Sequence, residues 1–154
     1  MLILIAAVGH QSPEALSFSI KLDKSNYNKG EPVKCSLILK NNSTKDIVVN
    51  NRFLVNLPMG PHEISFQIFD RDLKQVLFTT KINAGFESNR FILLHPGTTE
   101  VKTYILSDHF DLTEKGNYSI VAYYENKNDP PAALKLPSAW KGTLMSNKVV
   151  ITMH

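Results

Sequence analysis

The stretch LTEKGNYSIVAYY at residues 112–124 gives the strongest indication of the fold. Leu112, Gly116 and Tyr118 fill the L-x-x-x-G-x-Y spacing of a tyrosine corner, in which the hydroxyl of a buried Tyr bonds backbone near the preceding turn. From Tyr118 to Tyr124 every second residue is apolar or aromatic, as in a strand with one buried face. The stretch therefore predicts a tight turn that leads into a core strand of a β-sandwich.

Strand signals recur along the rest of the chain at intervals of about ten to twenty residues, with Gly, Pro, Asn and Asp between them. The predicted extended segments are 18–22, 33–40, 47–50, 64–68, 76–78, 101–106, 118–124 and 149–153. No stretch carries the 3.6-residue apolar stripe of an amphipathic helix. The pattern predicts an all-β protein, an antiparallel sandwich of about seven or eight strands with Greek-key connections.

Residues 16–154 are expected to form one domain. A chain of 154 residues can bury one substantial core, and nothing in its pattern marks a second. The composition, with 43% hydrophobic and 20% charged residues, is that of an ordinary globular protein. The 17 Lys and Arg residues only slightly outnumber the 14 Asp and Glu residues, and they are scattered. We therefore predict no nucleic-acid partner.

Residues 1–15 fit two interpretations. Leu2 to Val8 is an apolar run that ends in the small-x-small pattern Ala7-Val8-Gly9, typical of the core and cleavage site of a signal peptide. A truncated signal segment, the interpretation we favour, would make the protein secreted or periplasmic. The alternative is an N-terminal strand or tail, compatible with a cytoplasmic protein. The run is too short to cross a bilayer as a helix, so no transmembrane segment is predicted.

The sequence contains no complete motif for catalysis or metal binding. His62 and Glu63 resemble the start of H-E-x-x-H, but the second His is missing, so a zinc-peptidase centre is not predicted. The single cysteine, Cys35, is far in sequence from His95 and His109, unlike the clustered ligands of blue-copper proteins. It lies on the apolar face of its predicted strand, so we expect a buried, inert thiol. We predict a protein that is not an enzyme and needs no cofactor.

Three segments resemble one family. They are residues 18–32, which include Gly-Glu-Pro at the turn, residues 106–112 before the tyrosine corner, and residues 140–151 near the end. Together they resemble the immunoglobulin-like domains of secreted bacterial proteins, including those that precede the catalytic domain of deuterolysin-like metallopeptidases. A looser likeness is to small proteinase-inhibitor domains. The resemblance implies an immunoglobulin-like sandwich over roughly residues 16–153 and brings no catalytic residue with it.

The proline-rich segment 126–139 is predicted to be a long loop and the candidate site for a protein partner. Two functions remain open: a non-catalytic secreted or envelope domain that acts through protein contacts, or a proteinase inhibitor that presents this loop to a peptidase. Trp140, just after the loop, is either a surface anchor or a cap on the core. The candidate partner-binding residues are Asn128, Asp129, Pro130, Pro131, Pro137 and Trp140.

Overall fold

The structure is a computed structural model that describes residues 15–55, 62–79 and 90–154. The two interpretations of the N-terminal segment concern residues that, apart from Ala15, lie outside this part of the chain. None of the helices in the described ranges has the length and hydropathy needed to cross a bilayer.

Short strands dominate the described residues, and two single-turn 3-10 helices lie at residues 106–108 and 132–134. The strands are β1 (Leu16–Leu22), β2 (Asn26–Tyr27), β3 (Lys34–Asn41), β4 (Ile47–Asn50), β5 (Ile64–Phe69), β6 (Phe91–Leu94), β7 (Thr99–Ile105), β8 (Gly116–Asn126), β9 (Gly142–Met145) and β10 (Val149–Met153). Buried and more exposed residues alternate along β1, β3, β5 and β8, because successive side chains of a strand point to opposite faces.

Eight of the ten strands in the described residues form two facing sheets. The first has the order β1-β3-β7, and the second has the order β2-β10-β8-β5, with β9 also paired to β8. A separate two-stranded ladder joins β4 and β6. From β1 to β8 each described strand lies in a different sheet from the strand before it, so neighbours in a sheet are mostly not neighbours in sequence. The predicted all-β sandwich is confirmed. The pairing of β2 with β10 is parallel and so departs from the predicted antiparallel arrangement.

One hydrophobic core fills the space between the two sheets. Ile20 and Leu37 from the first sheet, and Ile68 and Ile120 from the second, are almost completely buried. The ring of Phe18 on β1 lies 6.0 Å from the ring of Tyr124 on β8, measured between centroids, which brings the sheets into direct contact. Burial of such side chains contributes about 1.5–3 kcal/mol each, so the core supplies most of the stabilisation.

The tyrosine corner has the geometry that its spacing predicts. Tyr118 is buried, and its hydroxyl donates a hydrogen bond to the Glu114 carbonyl at 3.0 Å. Leu112 is buried beside it. Gly116 has φ +131°, a conformation that favours glycine, and a Cβ there would approach Cδ of Arg71 to 3.1 Å. The corner therefore fixes the entry into β8.

Cys35 points into the core from β3 and has no solvent exposure. Burial raises the pKa of its thiol to about 12, because a thiolate is poorly solvated in an apolar interior. The reactive form of the side chain is therefore suppressed in the native protein.

Residues 76–78 do not form the predicted hairpin strand. The N–H of Val76 donates to the Ile68 carbonyl at 2.8 Å, but the chain then leaves β5, and Phe78 forms an isolated bridge with Phe110. Leu77 lies between them with 71% of its surface exposed. One local contact across the turn and one long-range contact to Phe110 thus replace a continuous ladder, which the local apolar pattern cannot indicate.

A bulge separates β9 from β10 along β8. Met145 pairs with Tyr123 and Val149 pairs with Ile120, so three residues oppose two. Within the bulge, the side chain of Asn147 reaches across to β1. Its Oδ1 accepts from the Ile20 N–H at 2.9 Å, and its Nδ2 donates to the Ile20 carbonyl at 3.1 Å. The bulge thereby ties the two sheets together with polar bonds.

An ion pair is buried near the start of β5. The guanidinium of Arg52 donates from Nε to Oε2 of Glu63 at 3.0 Å and from Nη2 to Oε1 at 2.5 Å. The N–H of Leu54 also donates to Glu63, at 3.0 Å. Next to this pair, the hydroxyl of Tyr124 donates to the Asn50 carbonyl at 3.0 Å. These bonds tie residues 50–54 to the start of β5 and to β8.

Candidate protein-binding loop

The connection from β8 to β9, residues 127–141, covers the segment 126–139 predicted as the partner site except Asn126, which is the last residue of β8; we call it the 127–141 loop. Asn126, the last residue of β8, is buried, and its Nδ2 donates to the Asn128 carbonyl at 2.9 Å and to the Trp140 carbonyl at 2.7 Å. One amide therefore holds the first and last parts of the loop together, as in a compact Ω-loop.

Asp129 forms a second cross-link further along the loop. Its Oδ1 accepts from the Ala139 N–H at 3.0 Å, and its Oδ2 is paired with the ammonium of Lys141. The Lys141 ammonium, and then the Ala139 N–H, lower the pKa of this carboxyl below its ordinary value. The side chain is surface-exposed, so it orders the loop while remaining accessible to solvent.

The tip of the loop is a short 3-10 turn. Pro131 enters it in an extended conformation, with φ −55° and ψ 142°, and the turn spans Ala132–Leu134. Lys135 closes it in the left-handed conformation, with φ +49°, which is uncommon for a residue other than glycine. Leu134 at the tip is 48% exposed. The tip therefore presents an apolar side chain from a defined turn.

The returning half of the loop lies against β4 and β6. Leu136 and Ala139 pack with Val48 and Phe91 in a small apolar cluster separate from the main core. The N–H of Trp140 donates to the Val48 carbonyl at 2.8 Å. The returning half of the loop is thus supported by the domain, whereas residues 131–135 at the tip are all exposed.

Trp140 contacts the core of its own domain. Its ring stacks on Tyr124 with 5.9 Å between centroids and 30° between planes, and the residue is partly buried. Gly142, with φ +146°, lies beneath the ring, and a Cβ there would approach the indole to 3.0 Å. This geometry corresponds to the core-capping alternative for Trp140.

The remaining candidate residues stand at the surface. Asn128, Asp129, Pro131 and Pro137 are exposed, and Pro130 is partly buried. Asn126 and Lys141, which organise the loop, were not predicted, and neither was Leu134 at its tip. Asn is one of the commonest turn residues, so the sequence alone does not show that Asn126 is buried and bonded across the loop.

A cleft of about 300 Å³ lies at one end of the sandwich, near Ser107, Asp111 and Thr113. The hydroxyl of Thr113 donates to the Asp111 carboxylate at 2.5 Å, and this bond, followed by one from the Thr113 N–H, lowers the pKa of that carboxyl. Within residues 15–55, 62–79 and 90–154, no group of three His, Cys, Asp or Glu side chains is arranged to hold a metal ion. We do not assign a site to this cleft.

No protein-family model matches the chain, and no curated protein matches it. Among solved structures, β-glucosidases from Erythrobacter marinus and Listeria innocua align with it at TM-scores of 0.38 and 0.37, each with 12% identity. The alignments cover 90% of this chain but 15% and 16% of those two chains. Similarity at this level carries no conclusion about function.

Proposed function

We propose that this chain is a non-catalytic, immunoglobulin-like domain of a secreted or periplasmic protein, and that it binds another protein through the 127–141 loop. The observation that carries the proposal is the loop itself. Asn126 and Asp129 hold it in one conformation through bonds within the loop and to its ends, while its tip is exposed. The domain therefore offers a preformed projection.

A preformed loop binds more tightly than a flexible one with the same contacts, because less conformational entropy is lost on binding. Pro130, Pro131 and Pro137 restrict the backbone further. Leu134 supplies an exposed apolar side chain at the tip, and Lys135 next to it supplies a positive charge. The partner surface we expect has an apolar pocket with a carboxylate at its rim.

The strand order supports the immunoglobulin-like classification. In such domains strands A, B and E lie in one sheet, and strands C, F and G lie in the other. The order β1-β3-β7 corresponds to A-B-E, and the order β10-β8-β5 corresponds to G-F-C. The apolar run at residues 2–8 supports export of the protein.

The conformation of the tip favours general protein binding over substrate-like inhibition of a peptidase. A segment that docks like a substrate adds to the partner as an extended strand. Residues 132–134 instead form a 3-10 turn, and Lys135 is left-handed. An inhibitor that used this loop could not bind the peptidase as an extended, substrate-like strand through residues 132–135.

The test is a pair of substitutions at exposed leucines. A partner is first isolated from an envelope extract with the wild-type domain, identified, purified and titrated against each variant. Leu134→Asp places a charge at the proposed contact and should weaken binding at least about tenfold. Leu73→Asp, at a residue that is 80% exposed in a different turn, is the control and should leave binding within about twofold.

Unchanged binding by Leu134→Asp would remove the loop from the interface. If the purified partner is a peptidase whose activity the domain blocks at a one-to-one ratio, the inhibitor alternative replaces the one proposed here.

A further inference from the structure

The outer face of the second sheet is almost free of charge; we call it the neutral face. Its residues point away from the core on β2, β5, β8, β9 and β10. They are Asn26, Ser65, Gln67, Phe69, Asn117, Ser119, Val121, Tyr123, Glu125, Thr143, Met145, Val150 and Thr152. The only charged member, Glu125, lies near one end and is paired with Lys127 at 3.0 Å.

The outer face of the first sheet has a different character. Its residues are Ser17, Ser19, Lys21, Lys34, Ser36, Ile38, Lys40, Thr99, Val101, Thr103 and Ile105. Its three charged side chains, Lys21, Lys34 and Lys40, are all positive. The two faces of the same sandwich therefore differ in charge while sharing small hydroxyl residues.

Apolar side chains occupy the middle of the neutral face. Tyr123 on β8 lies directly opposite Met145 on β9, and Met145 is 65% exposed. Val121 is the next residue on the same face of β8, two positions before Tyr123. Val150 on β10 is 52% exposed. In the described residues none of the four belongs to the hydrophobic core. Aromatic residues and Met, with few charges, are the composition of the buried centre of a protein interface.

We propose that the neutral face binds a second copy of this chain in a two-fold symmetric dimer. In such a dimer the same patch is used on both copies, so a patch with charges of one sign would repel itself. The chain has a net charge of +3, and the first sheet presents three lysines without an acid on its outer face. Two neutral faces can meet without this repulsion. A face with so few charges also has little with which to attract an oppositely charged partner.

The proposal is tested by measuring the mass of the full chain by analytical ultracentrifugation from about 1 µM to about 500 µM, a range that brackets weak and moderate dimers. The mass of the wild-type protein should rise from one chain to two. Val150→Lys puts two like charges into each dimer, because symmetry repeats the substitution, and should weaken dimerisation at least about tenfold.

Val101→Lys is the matched control, because Val101 has the same 52% exposure on the outer face of the other sheet. It should leave the dimer unchanged. A protein that stays monomeric over the whole range would overturn the proposal, and so would equal weakening by the two substitutions. Thermal unfolding of both variants checks that each is folded. The outcome is independent of the partner test above, since that test changes only exposed leucines in loops.

Discussion

Tyr118 shows how one hydroxyl can anchor a turn. In Tyr118→Phe the ring still fills its place in the core, but the Glu114 carbonyl loses its donor. We expect a loss of about 1–2 kcal/mol in the free energy of unfolding, measured in urea, because a partly buried acceptor is left without a protein partner. Tyr123→Phe is the control, since its hydroxyl bonds Gln67 at the surface. Equal losses in the two variants would show that the corner bond contributes nothing specific.

The buried ion pair between Arg52 and Glu63 should contribute more to the free energy of unfolding than the Tyr118 hydrogen bond. Arg52→Ala leaves the carboxylate of Glu63 buried without its guanidinium, and we expect this to cost about 3–5 kcal/mol of unfolding free energy. Lys24→Ala breaks a surface pair with Glu31, at 2.9 Å, and should cost less than about 1 kcal/mol. Urea denaturation of both variants measures the difference. A cost below about 1 kcal/mol for Arg52→Ala would mean that water solvates Glu63.

Among the structural elements, the 127–141 loop should depend on pH through Asp129. The pKa of this carboxyl lies below its ordinary value of 3.8 in the folded loop. Its contribution to loop order is therefore complete above that ordinary value and is lost as the pH falls through the lowered pKa. We expect amide exchange at the Ala139 N–H, corrected for intrinsic rate, to accelerate in acid relative to the core of β8.

Asp129→Asn is the control for this pH dependence. The substitution removes the charge, so exchange at Ala139 should be faster at neutral pH and should no longer respond to acid in this way. If the wild-type loop keeps its protection in acid to the same degree as β8, the Asp129–Lys141 pair does not order it.

The strands could be predicted from sequence where the signal is local. Period-two alternation placed the ends of β1 and β8 within two residues of their observed bounds, because the burial of one face of a strand is visible in the alternation of its residues. The predicted strand at residues 76–78 was wrong because their partners, Ile68 and Phe110, lie in separate parts of the chain, so no continuous ladder forms. The loop could be predicted because its prolines are a local signal. The bonds of Asn126 across the loop could not, because they join residues that are apart in the sequence.

For the whole molecule, one core and several contacts between sheets predict a single cooperative unfolding transition. Cys35 and Trp140 are natural probes, since one lies inside the first sheet and the other caps Tyr124 on the second. Thiol labelling and tryptophan fluorescence should give the same urea midpoint. Labelling of Cys35 under conditions where the fluorescence is still native would indicate that the first sheet opens separately.

Edge strands expose N–H and C=O groups to which a strand from another molecule can add, which is the first step of fibril growth. In the described sheets β1 is such an edge. The amide of Asn147 already occupies the N–H and C=O of Ile20, as a neighbouring strand would. An incoming strand would have to displace this side chain from the bulge that positions it. The interruption between β9 and β10 thus protects the middle of β1 against templated aggregation.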